Sequence, residues 1–429
     1  MKVLIEPTCE QIEKIVQKRR FELSQLEQNV KSIVEDVKKN GQVALEKYIA
    51  MYERCALKKE QIVVSKQELE SVRVDERFER ACEEFIERVE KFHSLHLERS
   101  IWRVNEFGSF TAYLVKPIES VAIYVPAGKK VYFSTLIMCA VPAKIAGVER
   151  IVVACSAMED GKISPYVLYL CRRLGIEEIY KMGGAHAISA LAYGTEIVKR
   201  VDKIVGPGNI YVSCAKRLIV GDCGIDSIAG PTELLIVADG LAKARFVASD
   251  MLAQAEHDEN ATVCLITNDE DLLDGTMEEL SKQLSELDEP ARSTARSCLE
   301  RNGLAILVKD IKDAVKISNI FSPEHLQLMT KDPWSLLSDV KSAGSIFLGS
   351  FSAEAFGDYG IGPNHVLPTS TASRFSSGLT VQDFLKKIFV TQVSEEEVRQ
   401  RGAWYASLAR LEGFEAHARS IEVRLEGSR

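Results

Sequence analysis

The stretch "SVAIYVPAG", from Ser120 to Gly128, sets the reading of the fold. It is a short apolar run that ends in small residues and leads into a helical pattern. The same unit recurs in "RIVVACS" (Arg150–Ser156), "EIYKMGGAHAISALAYG" (Glu178–Gly194) and "DKIVGPGN" (Asp202–Asn209). Short apolar strands alternating with helices give the rhythm of a parallel sheet covered on both faces. A second set follows in "ELLIVAD" (Glu233–Asp239), "ARFVASDMLAQAEHD" (Ala244–Asp258), "ATVCLITND" (Ala261–Asp269), "GLAILV" (Gly303–Val308) and "GSIFLG" (Gly344–Gly349). It predicts a second α/β unit.

The pattern changes on either side. Upstream, residues from about Thr8 to Leu97 read as mostly helical, with Asn40-Gly41 as a break. His93 and His96 share one face of an amphipathic helix there and read as surface or packing residues. "SFTAYLVKPI" (Ser109–Ile118) alternates like an antiparallel strand. From Phe384 onward the spacing predicts a helical C-terminal extension that packs on something else.

Composition narrows the function classes. A chain of 429 residues is expected to form about two or three domains. Apolar content of 46% and charged content of 27% are those of a soluble globular protein. A net charge of −8 argues against nonspecific binding to nucleic acid or anionic membranes. "MKVLIEPTCEQIEKI" has no apolar signal core, and "STLIMCAVPAKIAG" is interrupted by Pro142 and Lys144 and too short to span a bilayer. The ten cysteines stand singly, with no C-x-x-C pair, as expected of reduced thiols. A cytoplasmic protein without nucleic-acid or membrane partners is predicted.

In α/β folds, ligands bind at the carboxyl ends of strands. The loops "MGGAHA" and "VGPGN" carry close-approach glycines at such positions. Neither is a G-x-G-x-x-G fingerprint, and both a nucleotide loop and a plain turn fit them.

The polar clusters lie further on. In "FSPEHLQL" (Phe321–Leu328), Ser322 and Pro323 predict a helix start. Glu324 and His325 would then occupy the first turn, whose positive end favours an ionised carboxylate and a neutral imidazole. A neutral imidazole is what a general base needs, although an ordinary capped helix fits as well. "DMLAQAEHD" puts Gln254 and His257 on one helix face. "AEAFGDYGIGPNHVLP" carries Asp358 and His365, and "LEGFEAHARS" carries Glu412 and His417. Three imidazole or carboxylate ligands with an open position form a catalytic zinc pattern. No H-E-x-x-H spacing occurs, so zinc ligands would have to come from distant segments. Each histidine taken alone also fits a surface or capping role. From residues alone the reading reaches an α/β enzyme with candidate zinc ligands and candidate nucleotide loops, and stops.

Eight motifs in order, "VAIYVPAG", "GGAHAISALAYGT", "GPGNIYV", "AGPTELLIVAD", "AQAEHD", "SPEHLQL", "GDYGIGPNHVLPT" and "LEGFEAHA", resemble the histidinol dehydrogenases over nearly the whole chain. The resemblance implies an intertwined homodimer of two Rossmann-like parallel-sheet domains. Residues 26–118 and 233–378 would form a discontinuous first domain, and 119–232 the NAD-binding second. A helical segment, 1–25, would precede them and a helical extension, 379–429, would reach the partner subunit. It also implies a zinc enzyme, one ion per subunit, that oxidises L-histidinol to L-histidine through the aldehyde with two NAD⁺. Gln254, His257, Asp358 and His417 would bind zinc, with His417 coming from the partner subunit. Glu324 and His325 would be the acid–base pair. Thr232, His365, Glu412, His325 and the zinc ligands would surround the substrate, and Tyr124, His186 and Asn209 would lie along the NAD⁺ path. The family often has serine at Thr232 and usually glutamine at His186. The same apparatus would also suit another small polar alcohol, or a zinc hydrolase.

Overall fold

The computed structural model describes residues 1–429 apart from 20–23, 54, 56, 128–129 and 428–429. In chain order the strands begin with β1 (Lys2–Ile5), β2 (Ile101–Val104), β3 (Phe110–Pro117), β4 (Ser120–Val125) and β5 (Arg150–Cys155). They continue with β6 (Glu178–Tyr180), β7 (Lys203–Val205), β8 (Gly224–Ile225), β9 (Glu233–Ala238) and β10 (Thr262–Thr267). The last are β11 (Gly303–Leu307), β12 (His325–Met329), β13 (Ser345–Leu348) and β14 (Leu385–Gln392).

Two parallel sheets organise the chain, as the alternating pattern predicts. One has the order β6-β5-β4-β7-β8 and the other β1-β11-β10-β9-β12-β13. Helices cover both faces of each, and the strands are correspondingly apolar throughout. Along β4, Val121, Ile123 and Val125 enter the core on one face while Ala122 and Tyr124 enter the core on the other. Full burial of each such aliphatic side chain contributes roughly 1.5–3 kcal/mol. No described helix is long and apolar enough to cross a membrane.

The helices between residues 30 and 89 depart from the domain division drawn from the sequence. Val30, Leu45 and Ile49 of helix Ser24–Tyr52 share a core with Ala122, Ile188 and Val212. Phe85, Ile86 and Val89 of helix Glu76–His93 share one with Val121, Leu136 and Val153. Both helices therefore pack on the five-stranded sheet, because their apolar faces complete its two layers, and helix Glu76–His93 also meets the 233–378 segment through Val366 and Asn364. Gly41, at φ 51° and ψ −120°, kinks the first of them at the expected break. His93 is fully buried, and burial pushes its imidazole down to about 4.

Three further segments correct the sequence reading. The N-terminal segment expected to be helical opens with β1, which pairs in parallel with β11. The tail is not helical from Phe384: β14 pairs antiparallel with β3, and β2 with β3, in a separate three-stranded sheet. Helices Glu395–Leu411 and Glu415–Gly427 follow it. Finally, "SPEHLQL" is a strand. Ser322, at φ 52°, ends helix Ile311–Phe321 with its N–H on the Ser318 carbonyl. Pro323 follows as a residue that cannot prolong the helix, and β12 then runs between β9 and β13. Leu326 and Leu328 point into one core layer, and Gln327 turns to the other face, where Asp250 accepts its amide at 2.8 Å.

Candidate active site

Two sites emerge, at opposite ends of the two sheets' strands. The first follows the carboxyl ends of β4, β5, β6 and β7. Chain order runs outward from β4 to β6 and then resumes on the other side at β7, so a crevice opens between β4 and β7. A cavity of about 1110 Å³ lies there, lined by Tyr124, Ser156, Gly183, His186 and Asn209 among others. All three residues expected on the NAD⁺ path thus border one cavity. The Tyr124 hydroxyl accepts the Gly184 N–H at 3.1 Å. Asn209 caps helix Ile210–Ile219, its Oδ1 accepting from Tyr211 N and Val212 N.

A buried ion pair fixes the loop that carries Asn209. Lys216 Nζ contacts Asp226 and donates to the Gly206 carbonyl at 2.7 Å, while Gly206 N donates to Asp226 Oδ2 at 2.7 Å. Gly206 sits at φ 108°, and a Cβ there would meet the Tyr124 carbonyl oxygen at 2.3 Å, so only glycine fits. Lys216→Met leaves Asp226 buried without its cation, and a loss of about 3–5 kcal/mol is expected in denaturant unfolding. In the double variant with Asp226→Leu much of that loss should return; no recovery would mean that the lysine acts mainly through packing.

The second site corrects the expectation that functional loops follow strands. Thr232 precedes β9, Glu324 precedes β12 and His325 opens it, so this cluster lies at the amino ends of the six-stranded sheet. Gln254, at the end of helix Ala244–Ala255, and His257 just beyond it reach the same edge because that helix runs back from the carboxyl end of β9.

The cluster is buried and tightly connected. Glu324 Oε2 accepts from the Thr232 hydroxyl and, at 3.0 Å, from Glu233 N. Burial pushes the Glu324 carboxyl up to about 8 against those two hydrogen bonds, the reverse of the ionised first-turn glutamate expected from the sequence. No helix begins at Ser322, so the expected helix N-terminus does not act on Glu324 or His325. Instead, His325 Nδ1 lies 3.1 Å from the Glu233 carbonyl oxygen, an atom that can only accept. The proton is therefore on Nδ1, and Nε2 carries the lone pair. Nε2 faces Glu354 Oε1 at 3.8 Å, and Nδ1 is 3.7 Å from Glu324 Oε2.

Glu354 is a residue that sequence reasoning missed. It is buried, and burial pushes its carboxyl up to about 7. The available signal was a carboxylate between two alanines just before the glycine-rich loop.

The remaining expected site residues divide into two groups. Gln254 Nε2 donates to Thr232 Oγ1 at 2.9 Å, and its Oε1 is buried with no hydrogen-bond partner. His365 Nδ1 lies 3.1 Å from Asp358 Oδ1. Asp358 is held below its usual range, since burial, which raises it, is outweighed by His365. Burial pushes His257 down, and Asp358 is close enough to oppose that shift. Gln254, His257, Asp358 and His365 thus share the edge with the Glu324–His325 pair. Glu412 and His417 do not: both are exposed on the C-terminal helices. Among the described residues, no three His, Cys, Asp or Glu side chains gather closely enough to hold a metal ion.

The two sites adjoin. Lys130 lines the cavity, and its Nζ lies 3.5 Å from Glu256 Oε2, next to His257. The loop carrying Asp358 and His365 is tied to the other unit by Asn364, which donates to the Met138 carbonyl at 2.6 Å.

The histidinol dehydrogenase family profile matches residues 16–425. The histidinol dehydrogenase of Thermotoga maritima is 48% identical over 99% of this chain and 100% of its own length. That of Bacillus subtilis is 42% identical over 96% of each. The crystal structure of histidinol dehydrogenase from Elizabethkingia anophelis superposes with a TM-score of 0.93 at 34% identity, covering 100% of this chain and 98% of that one. A profile match over nearly the full length, together with relatives this similar, makes the chain a member of the histidinol dehydrogenase family.

Proposed function

We propose that this protein oxidises L-histidinol to L-histidine by way of the aldehyde, reducing two NAD⁺, in histidine biosynthesis. The observation that carries the reading is the state of His325. Its Nδ1 is satisfied by the Glu233 carbonyl, so Nε2 is the one ring nitrogen able to take a proton, and it lies 3.8 Å from the buried Glu354 carboxyl.

The crevice beyond β4 and β7 would hold NAD⁺, which when bound would supply the hydride acceptor. Tyr124, His186 and Asn209 would position it. The five-stranded unit, 119–232 with the helices between residues 30 and 89, serves as the cofactor domain. Zinc, when bound, supplies a Lewis acid and an anchor for substrate nitrogen. The residues fit that ion: Gln254 Oε1 is a buried oxygen donor with no hydrogen bond of its own, and His257 and Asp358 are neighbours. These three would supply part of its ligand set, and His417 of the partner subunit would add a fourth donor.

The chain's own groups account for the proton movements. His325 Nε2 removes the carbinol proton as the alcohol is oxidised. Glu354, beside Nε2, stabilises the imidazolium that forms. Glu324, with Thr232 and the Glu233 N–H holding Oε2, is oriented to take a proton from the water that adds to the aldehyde. His365 bears on the same pocket through Asp358, and Glu412 of the partner subunit would close it. Burial of the pair keeps bulk water from competing.

The tail supports a homodimer. β14, β3, β2 and the two C-terminal helices expose Trp102, Phe389, Trp404, Leu411 and Phe414. An apolar surface of this extent is the kind that a second copy covers. Such a dimer would act in the cytoplasm on a small-molecule substrate.

The test is stoichiometry. Two NADH should form per histidinol consumed, lost on chelation and restored by zinc. Turnover of histidinol without NAD⁺, or one NADH with aldehyde released, would refute the reading. Similar NADH yields from other amino alcohols would move the substrate to that wider class.

A further inference from the structure

The end of the cavity around helix Gly184–Tyr193 has an unusual occupant. In dinucleotide folds, the helix N-terminus after a strand carries the pyrophosphate. Here the N–H groups that would face a phosphate are already engaged. Gly183 N donates to Glu53 Oε1 at 2.6 Å, and Gly184 N donates to the Tyr124 hydroxyl. The position is also crowded, because a Cβ on Gly183 would lie 1.9 Å from Ser156 Oγ. A buried carboxylate therefore sits where a phosphate would otherwise sit, and it borders the cavity.

Its surroundings suit an uncharged, hydroxyl-bearing ligand. His186 Nε2 lies 3.3 Å from the same Glu53 oxygen. The rings of Tyr48 and Tyr52 stack in parallel at 6.0 Å, and each is 6.3 Å from the His186 ring. Tyr48 is fixed by its hydroxyl on Asp36 Oδ2 at 2.9 Å, while Tyr52 is exposed toward solvent. Aromatic faces beside a carboxylate form a wall for a base and its ribose.

The two ends of the cavity are distinguishable. Lys130, whose Nζ lies 3.5 Å from Glu256 Oε2 next to His257 in the chain, marks the end nearer the catalytic pair. Glu53 acts instead on Tyr124 and Cys155. The reacting nicotinamide belongs at the Lys130 end, so the ribose at Glu53 belongs to the adenosine half.

We infer that Glu53 sets the choice of dinucleotide: its carboxylate accepts an adenosine ribose hydroxyl and repels a 2′-phosphate, so the enzyme takes NAD⁺ and refuses NADP⁺. The inference rests on the dehydrogenase reading above and deepens it. A hydroxyl donates to a carboxylate, whereas a phosphate ester at the same carbon has no proton to give and adds like charge.

Two measurements test it. In calorimetry without turnover, ADP-ribose should bind the wild-type protein at least about tenfold more tightly than its 2′-phosphorylated form. Equal affinities overturn the inference, and because this assay needs no histidinol it does so independently of the substrate. In steady-state assays with histidinol, Glu53→Gln should lower the NAD⁺/NADP⁺ ratio of kcat/KM by about tenfold or more, mainly through a lower KM for NADP⁺. A ratio that stays fixed while both cofactors weaken assigns Glu53 a purely structural role and overturns it. A melting curve of Glu53→Gln separates misfolding from that outcome, and the binding comparison on wild-type protein decides the matter if the variant does not fold.

Discussion

Glu324→Gln should convert the enzyme into one that stops at the aldehyde, with histidinol oxidised and close to one NADH formed per molecule. Oxidising an alcohol removes one hydride and one proton, and His325 Nε2 suffices for the proton. Oxidising the aldehyde requires water to add first, which calls for a second base next to the same carbon. Glu324 is the buried carboxyl whose Oε2 is oriented by Thr232 and Glu233 N. Glutamine keeps the shape and can still accept from Thr232, so the pocket is retained while the base is lost. Removal of a general base costs about 10²–10⁴ in rate. Rapid-quench detection of aldehyde, with separate rates for the two oxidations, measures the effect; equal loss of both steps would reject the division of labour.

The same residue gives the reaction a pH dependence of known sign. Burial places the Glu324 carboxyl at about 8, above its ordinary 4.5. The ionised, basic form is therefore the minor one at neutral pH, and aldehyde oxidation should rise with pH and level off above about 8. Stability moves the other way. The folded protein holds this proton more tightly than the unfolded chain, so the contribution is complete below the ordinary value and is lost as pH rises through about 8. The enzyme accepts a pocket less stable in its working protonation state, and Glu324→Gln should flatten both dependences.

How far this chemistry was legible in the sequence depends on how local the signal was. The strands from Ser120 to Val205 and from Glu233 to Leu307 announce themselves because each is buried on both faces and reads as a continuous apolar run. β12 did not, because Ser-Pro fits the first turn of a helix and the residues just past the end of one equally well. Only the amphipathic run Ile311–Phe321 before it decides, and with it falls the idea that a helix dipole tunes His325. β14 was absorbed into the charged helix that follows, although Ile388, Phe389, Val390 and Thr391 form a β-branched and aromatic run. That strand lies in a small sheet with side chains exposed on both faces, so burial imposes no clean alternation on its sequence. The amino-end location of the catalytic pair and the burial of Glu354 depend on which strands become neighbours, and no spacing within one segment encodes that. The partition of helices between the two sheets was hidden for the same reason.

Deleting residues 412–429 should abolish zinc binding as well as turnover. Within one chain the proposed ligands are Gln254, His257 and Asp358, and His417 is exposed beside Phe414, with 5.0 Å between ring centres. The helix bearing it is braced on its neighbour by Arg410, which contacts both Glu415 and Glu422. The pair hangs from the body through Glu397, which accepts from Asn105 Nδ2 at 2.6 Å. An arm so built can deliver His417 to a second copy without rearranging its own core. Metal content per subunit should fall from about one to near zero in the truncated protein, and zinc affinity should drop by about 100-fold or more in the milder His417→Ala. Retained zinc in the truncated protein would count against a shared site. Complementation gives the sharper result. His417→Ala and Asp358→Ala subunits are each expected to be inactive alone. Refolded together, they form dimers in which one site has every ligand and the other lacks two. Statistical mixing should then restore roughly a quarter of wild-type activity. If each subunit instead built its site from its own tail, every site in the mixture would lack a ligand, and no activity would return.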